Sequence, residues 1–110
     1  MTGRRLIFHP GVAGDLAAIL DYYGSRDPAL PARFRVRLAE QLDRLESFPE
    51  SGAVLFESYR RVILKRFPYL VVYLLAADQI LVLAVVSYRR NPTWVERTVS
   101  QRSEEPSTNG

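Results

Sequence analysis

Residues 60–75 read RRVILKRFPYLVVYLL, and this stretch decides the fold. Two apolar runs, rich in β-branched and aromatic residues, flank a joint at 65–69, KRFPY. Runs of this composition suit strands. Pro68 has no N–H, so it fits a tight junction and not a central ladder position. A third run, ILVLAVVSY at 80–88, follows the short separator 76–79. Three strands with short links predict an antiparallel meander. The third run is apolar on both parities, as expected of a central strand covered on both faces.

Upstream the apolar period changes. In residues 33–48, Phe34, Leu38, Leu42, Leu45 and Phe48 form one helical stripe, with Arg35, Arg37, Glu40, Asp43, Arg44 and Glu46 turned away. Pro49 ends that helix. Residues 15–23 place Leu16, Ile19, Leu20 and Tyr23 on a second helical face, which Gly24 and Ser25 stop. Neither helix can bury its stripe alone, so the two form a hairpin. A short strand at 6–8, ended by His9-Pro10, pairs beside the last strand. The expected fold is α+β: β-α-α-β-β-β, a helical hairpin packed on a small, mainly antiparallel sheet. Residues 98–110 carry only Val99 as an apolar anchor. They read as a flexible tail after a domain at 1–97.

Composition narrows the chemistry. The 110 residues suit one domain and contain no Cys, which removes disulfides and thiolate chemistry. No carboxylate pair has metal-ligand spacing, and no nucleotide-binding glycine motif is present. Neither a metal nor a cofactor is therefore expected. The N-terminus lacks a signal-peptide pattern and the run 80–86 is too short to span a membrane, so a cytoplasmic location is expected.

The charge is unevenly placed. Residues 59–90 hold six basic side chains (Arg60, Arg61, Lys65, Arg66, Arg89, Arg90) against one acid, Asp78. Continuous strand parity puts Arg61 and Lys65 on one face and Arg60 and Arg66 on the other. Edge protection is one use for such charge. A surface for an anion or acidic partner is the other. Metal-free RNA cleavage would run on Arg61, Lys65, Tyr88 and Arg90, for phosphate stabilisation and hydrogen bonding or base stacking. Arg60, Arg66, Arg89 and Trp94 are the candidates for binding a target or partner. The lone His9 reads as a local polar group, Asp78 as turn chemistry, and Glu57 as a possible base near the basic run.

Four segments carry a family resemblance: AGDLAAILDYY (13–23), RFRVRLAEQLDRLESFPESG (33–52), RRVILKRFPYLVVYLL (60–75) and ILVLAVVSYRRNPTWVER (80–97). Across 15–97 the chain resembles the RelE/ParE superfamily of toxins from type II toxin–antitoxin modules, most specifically in RFPY and RRNPTW. The resemblance implies a cytoplasmic toxin that arrests growth and is neutralised by a cognate antitoxin protein, as in plasmid stabilisation. Two activities divide the superfamily: cleavage of mRNA on the ribosome, and inhibition of DNA gyrase. In the nuclease pattern, Arg61, Lys65 and Arg89 or Arg90 fill basic positions, with Tyr88 or Trp94 near the aromatic one. Ser87 stands where many nuclease relatives have a His, and the middle strands carry one Lys. FPY and RRNPTW resemble ParE-like members more closely, so the resemblance points to gyrase. Ribosome-dependent mRNA cleavage and an inactive antitoxin-binding member are the alternatives.

Overall fold

The computed structural model describes residues 4–104. Its elements are β1 (Arg5–Phe8), α1 (Gly11–Gly24), α2 (Leu30–Ser47), β2 (Ala53–Phe56), β3 (Tyr59–Ile63), β4 (Tyr69–Leu75), β5 (Gln79–Ser87) and α3 (Pro92–Glu104). The sheet order is β1-β5-β4-β3-β2. The meander β3-β4-β5 is antiparallel, and β1 lies parallel to β5. The expected α+β class and the core order β-α-α-β-β-β are therefore present.

Two elements depart from expectation. The four-residue β2 pairs antiparallel with β3, with an irregularity between Val54 and Phe56. The supposed tail is also corrected: residues 98–104 complete α3, where Val95 and Val99 are buried. These anchors lie four apart and hold one helical face on the sheet. Residues 105–110 of the expected tail lie outside the described residues.

The sheet is covered on both faces. On one, α1 and α2 supply Val12, Ile19, Phe34 and Leu45 against Val62, Leu64, Val71, Tyr73, Ile80, Val82 and Val85. On the other, Val95 and Val99 of α3 meet Leu70, Val72, Leu83, Ala84 and Val86. Phe48, the expected end of the α2 stripe, lies past the helix and is 65% exposed.

A bulge in β5 makes this double coverage work. Val72 stands opposite Ala84 and Tyr73 opposite Val82, so Leu83 is extra. The added residue shifts the alternation. Val82 and Val85 both face the helical hairpin, while Leu83 and Ala84 both face the α3 side. Beyond Val82, β1 no longer covers the edge of β5, since their pairing ends at Phe8. Side chains take over there. Val85 N–H donates to Asp15 Oδ2 at 3.0 Å, and Arg102 Nη1 donates to the Leu83 carbonyl at 2.9 Å. Arg102 also forks onto both Asp15 oxygens, at 2.7 and 2.9 Å.

A second clasp fixes the link from α2 to β2. The buried Tyr73 hydroxyl donates to the Pro49 carbonyl at 2.8 Å and accepts from Gly52 N–H at 3.0 Å. A Cβ at Gly52 would stand 2.7 Å from the Arg61 carbonyl oxygen, so the approach requires glycine.

Both clasps can be tested by substitution. Tyr73→Phe leaves the buried Gly52 N–H unpaired and costs about 1–3 kcal/mol. A lower denaturant midpoint checks it; an unchanged midpoint contradicts the clasp. Asp15→Ala and Arg102→Ala each strand one partly buried charge and cost on the order of 3 kcal/mol. The double variant loses less than the sum of the singles, as a denaturation cycle will read.

Candidate functional site

The basic residues of β3 and its flanks separate into three places. Arg60 turns to the helical side, where its Nη1 donates to the carbonyls of Gly52 at 2.8 Å and Glu50 at 3.2 Å. It braces the α2–β2 link. Arg61 lies on the opposite parity and lines a groove between the sheet and the start of α3. Lys65 and Arg66 follow the end of β3 at Ile63. Lys65 is outside the lining of the Arg61 groove, and Arg66 lines a separate pocket beside α2, apart from the Arg60 brace.

The joint explains the break. Leu64 N–H donates to the Tyr69 carbonyl at 3.0 Å, and Tyr69 N–H donates to the Phe67 carbonyl at 2.8 Å. Arg66 takes φ 70°, a left-handed backbone. Phe67 then packs edge-on to Tyr23 and Phe34, each at 5.2 Å between ring centroids. Tyr69 meets Phe34 at 5.5 Å. The joint is therefore an aromatic anchor on the helical hairpin. Lys65 remains exposed, and Arg66 faces α2.

The groove beside α3 has a volume of about 430 Å³. Leu55, Ile63, Leu70, Pro92 and Val95 give it apolar walls, and Arg61, Tyr88, Arg90 and Glu96 its polar groups. Three of the four nuclease candidates thus share one groove; Lys65 is not among its lining. The tight β5–α3 link sets the position of Arg90. Asn91 Oδ1 accepts from Thr93 N–H at 2.8 Å, capping α3. The Arg90 guanidinium sits 4.1 Å from the centre of the Trp94 ring, so Trp94 is a shelf for that cation. Arg89 is exposed, with its N–H on Ser87 Oγ at 3.1 Å.

Glu96 and the apolar walls from α3 escape a reading of the sequence. Asn91-Pro92 signals a turn, although an Asn before Pro is also a helix-start signal. The acid–base candidates lie elsewhere. His9 Nδ1 accepts from Gly11 N–H at 2.8 Å at the start of α1. Glu57 occupies the β2–β3 turn with φ 48°, and the Asp78 carbonyl accepts from Arg5 N–H at 3.1 Å. Among the described residues, no group of three or more His, Asp or Glu stands together as a metal-binding set. No described helix is long and apolar enough to cross a membrane.

The family model described as "ParE toxin of type II toxin-antitoxin system, parDE" matches residues 6–92. The chain belongs to this ParE toxin family. "Toxin ParE2" of Mycobacterium tuberculosis, strain CDC 1551 / Oshkosh, is 33% identical over 101 residues, covering 91% of this chain and 96% of the relative. The protein of that name from strain ATCC 25618 / H37Rv matches to the same extent. The solved structure titled "Chromosomal ParDE TA system from P. aeruginosa" shares the fold, with a TM-score of 0.68 and 23% identity, over 76% of this chain and 95% of that one. As a family member, the chain is the toxin of a module whose other component is an antitoxin.

The aromatic joint gives a pH prediction. Burial, with a hydrogen bond to Tyr23, pushes the Tyr69 phenol from 10.0 up to about 12. The fold thus favours its neutral form. Its contribution to stability is fully present below pH 10 and is lost as pH rises from 10 to about 12. Burial raises the Tyr73 phenol as well, so tyrosinate absorbance should show a late-titrating component that shrinks, without vanishing, in Tyr69→Phe. If all tyrosines titrate together while the chain is folded, the buried joint is wrong.

Proposed function

We propose that this chain inhibits DNA gyrase, and that its cognate antitoxin neutralises it in the cytoplasm by covering the Arg61–Arg90 groove. The observation that carries the proposal is the ParE family match over residues 6–92. The groove adds support, because apolar walls bordered by two guanidinium groups suit a protein segment with apolar anchors and an acid. Nuclease chemistry would need charge stabilisation and proton transfer to converge on one phosphate. Lys65 and the candidate bases His9 and Glu57 are not among the residues that line the groove.

Controlled expression without antitoxin, followed by paired assays, tests the target. Loss of gyrase supercoiling with intact ribosome-bound mRNA is expected. Cleavage of that mRNA with gyrase unaffected would overturn the proposal, and absence of growth arrest would point to an inactive antitoxin-binding member. For the antitoxin surface, reversing both charges in Arg61→Glu/Arg90→Glu should weaken the complex at least roughly tenfold, because like charges then face each other across the interface. Titration calorimetry reads the change. Unchanged affinity would place the antitoxin elsewhere.

A further inference from the structure

A second basic site lies at the turn end of the helical hairpin, where α1 passes into α2. Arg33 and Arg37 of α2 and Arg66 of the β3–β4 joint line one cavity of about 410 Å³, whose remaining lining is Tyr23, Leu30, Val36 and Phe67. These guanidinium groups come from two separate elements, and no carboxylate lines the cavity with them. Arg37 reaches outward to the exposed Glu40 at 3.3 Å. Among the described residues, Arg33 and Arg66 have no acidic partner. Arg33 and Arg37 are four apart on one helical face, where like charges repel. The Arg66 backbone is left-handed, at φ 70°, where glycine or asparagine is the easier choice. The fold therefore concentrates positive charge here against both local preferences. The Arg61–Arg90 groove differs, since Glu96 shares its lining.

We propose that the Arg33–Arg37–Arg66 cavity is a phosphate-binding site that grips the backbone of a nucleic acid. Planar guanidinium forks match the oxygens of a phosphodiester. Arginines reaching from two directions hold such a group more specifically than one helix can. The ring edges of Tyr23 and Phe67 keep the floor rigid, since Tyr23, Phe34 and Phe67 are mutually packed. The site is independent of the gyrase assignment. It would let the toxin touch nucleic acid while the α3 groove holds protein.

The test uses the purified chain without gyrase or antitoxin. Fluorescence anisotropy measures binding to a labelled DNA duplex and to a single-stranded RNA across a salt series. Arg66→Gly removes one guanidinium at a backbone position that glycine accepts, so the fold is kept. Combined with Arg33→Ala, it should lower affinity at least tenfold. It should also make the salt dependence shallower, by about 0.9 for each phosphate no longer neutralised on duplex DNA and by about 0.7 on a single strand. Tighter binding of one probe identifies which nucleic acid the site serves. Three results would overturn the proposal: no binding to either probe, an unchanged salt slope in the double variant, or equally strong binding of a poly-glutamate peptide of matched charge. The last would assign the cavity to an acidic protein. Because gyrase is absent, failure here leaves the supercoiling result standing, and the reverse holds too.

Discussion

The architecture depends on how the edge of β5 is finished. β1 pairs with it only as far as Phe8 opposite Val82, yet β5 continues to Ser87. Backbone groups exposed there must find partners. Asp15 accepts from Val85 and Arg102 donates to Leu83, while the two side chains pair with each other. One comes from α1 and the other from α3, so helices on opposite faces of the sheet are tied to a single bulge. Charges this poorly exposed add little net stability against their desolvation. Their effect is on position: a carboxylate and a guanidinium with these fixed partners allow one placement of α3. Gly11 fits the same requirement, because a Cβ there would stand 2.6 Å from Arg102 Cζ.

The placement of α3 in turn makes the groove. Its far end is held by Arg102 and its near end by the Asn91 cap. Between them, Val95 and Val99 bury a narrow apolar seam. The seam leaves Ile63 44% exposed and Tyr88 52% exposed beside Arg61. Trp94 does not close this opening; it supports Arg90. The groove is therefore a consequence of how few apolar residues α3 carries, and its arginine lining comes from the middle of β3 and from the β5–α3 link.

The strands and the helical hairpin are legible in the sequence because their apolar periods are unambiguous. Phe34 and Leu45 do reach the core, and the joint at Pro68 does turn the chain. The bulge is hidden, because a strand apolar at every position shows no parity to be shifted. β2 is hidden by its length, and α3 by its sparse anchors and charged faces. Parity alone does not say which basic residues meet: Lys65 and Arg66 lie past Ile63, where the strand ends and the aromatic joint takes over. The candidate site is legible as residue types near strand ends, but which of them meet depends on α3.

The separation of the basic residues follows from the same structure. A guanidinium that donates to main-chain carbonyls is fixed by the fold. Arg60 and Arg102 are of this kind, bound to Gly52 and Glu50 and to Leu83. Arg61 and Arg90 face an apolar-walled groove, and Arg66 joins Arg33 across a cavity with no acid in its lining. Net charge cannot distinguish these uses, since each residue contributes the same +1. Acceptors distinguish them: the fold consumes the donors of Arg60 and Arg102, whereas the other arginines keep donors for a partner. The α3 groove sets such donors among apolar walls, and the cavity at Arg66 does so without a competing carboxylate.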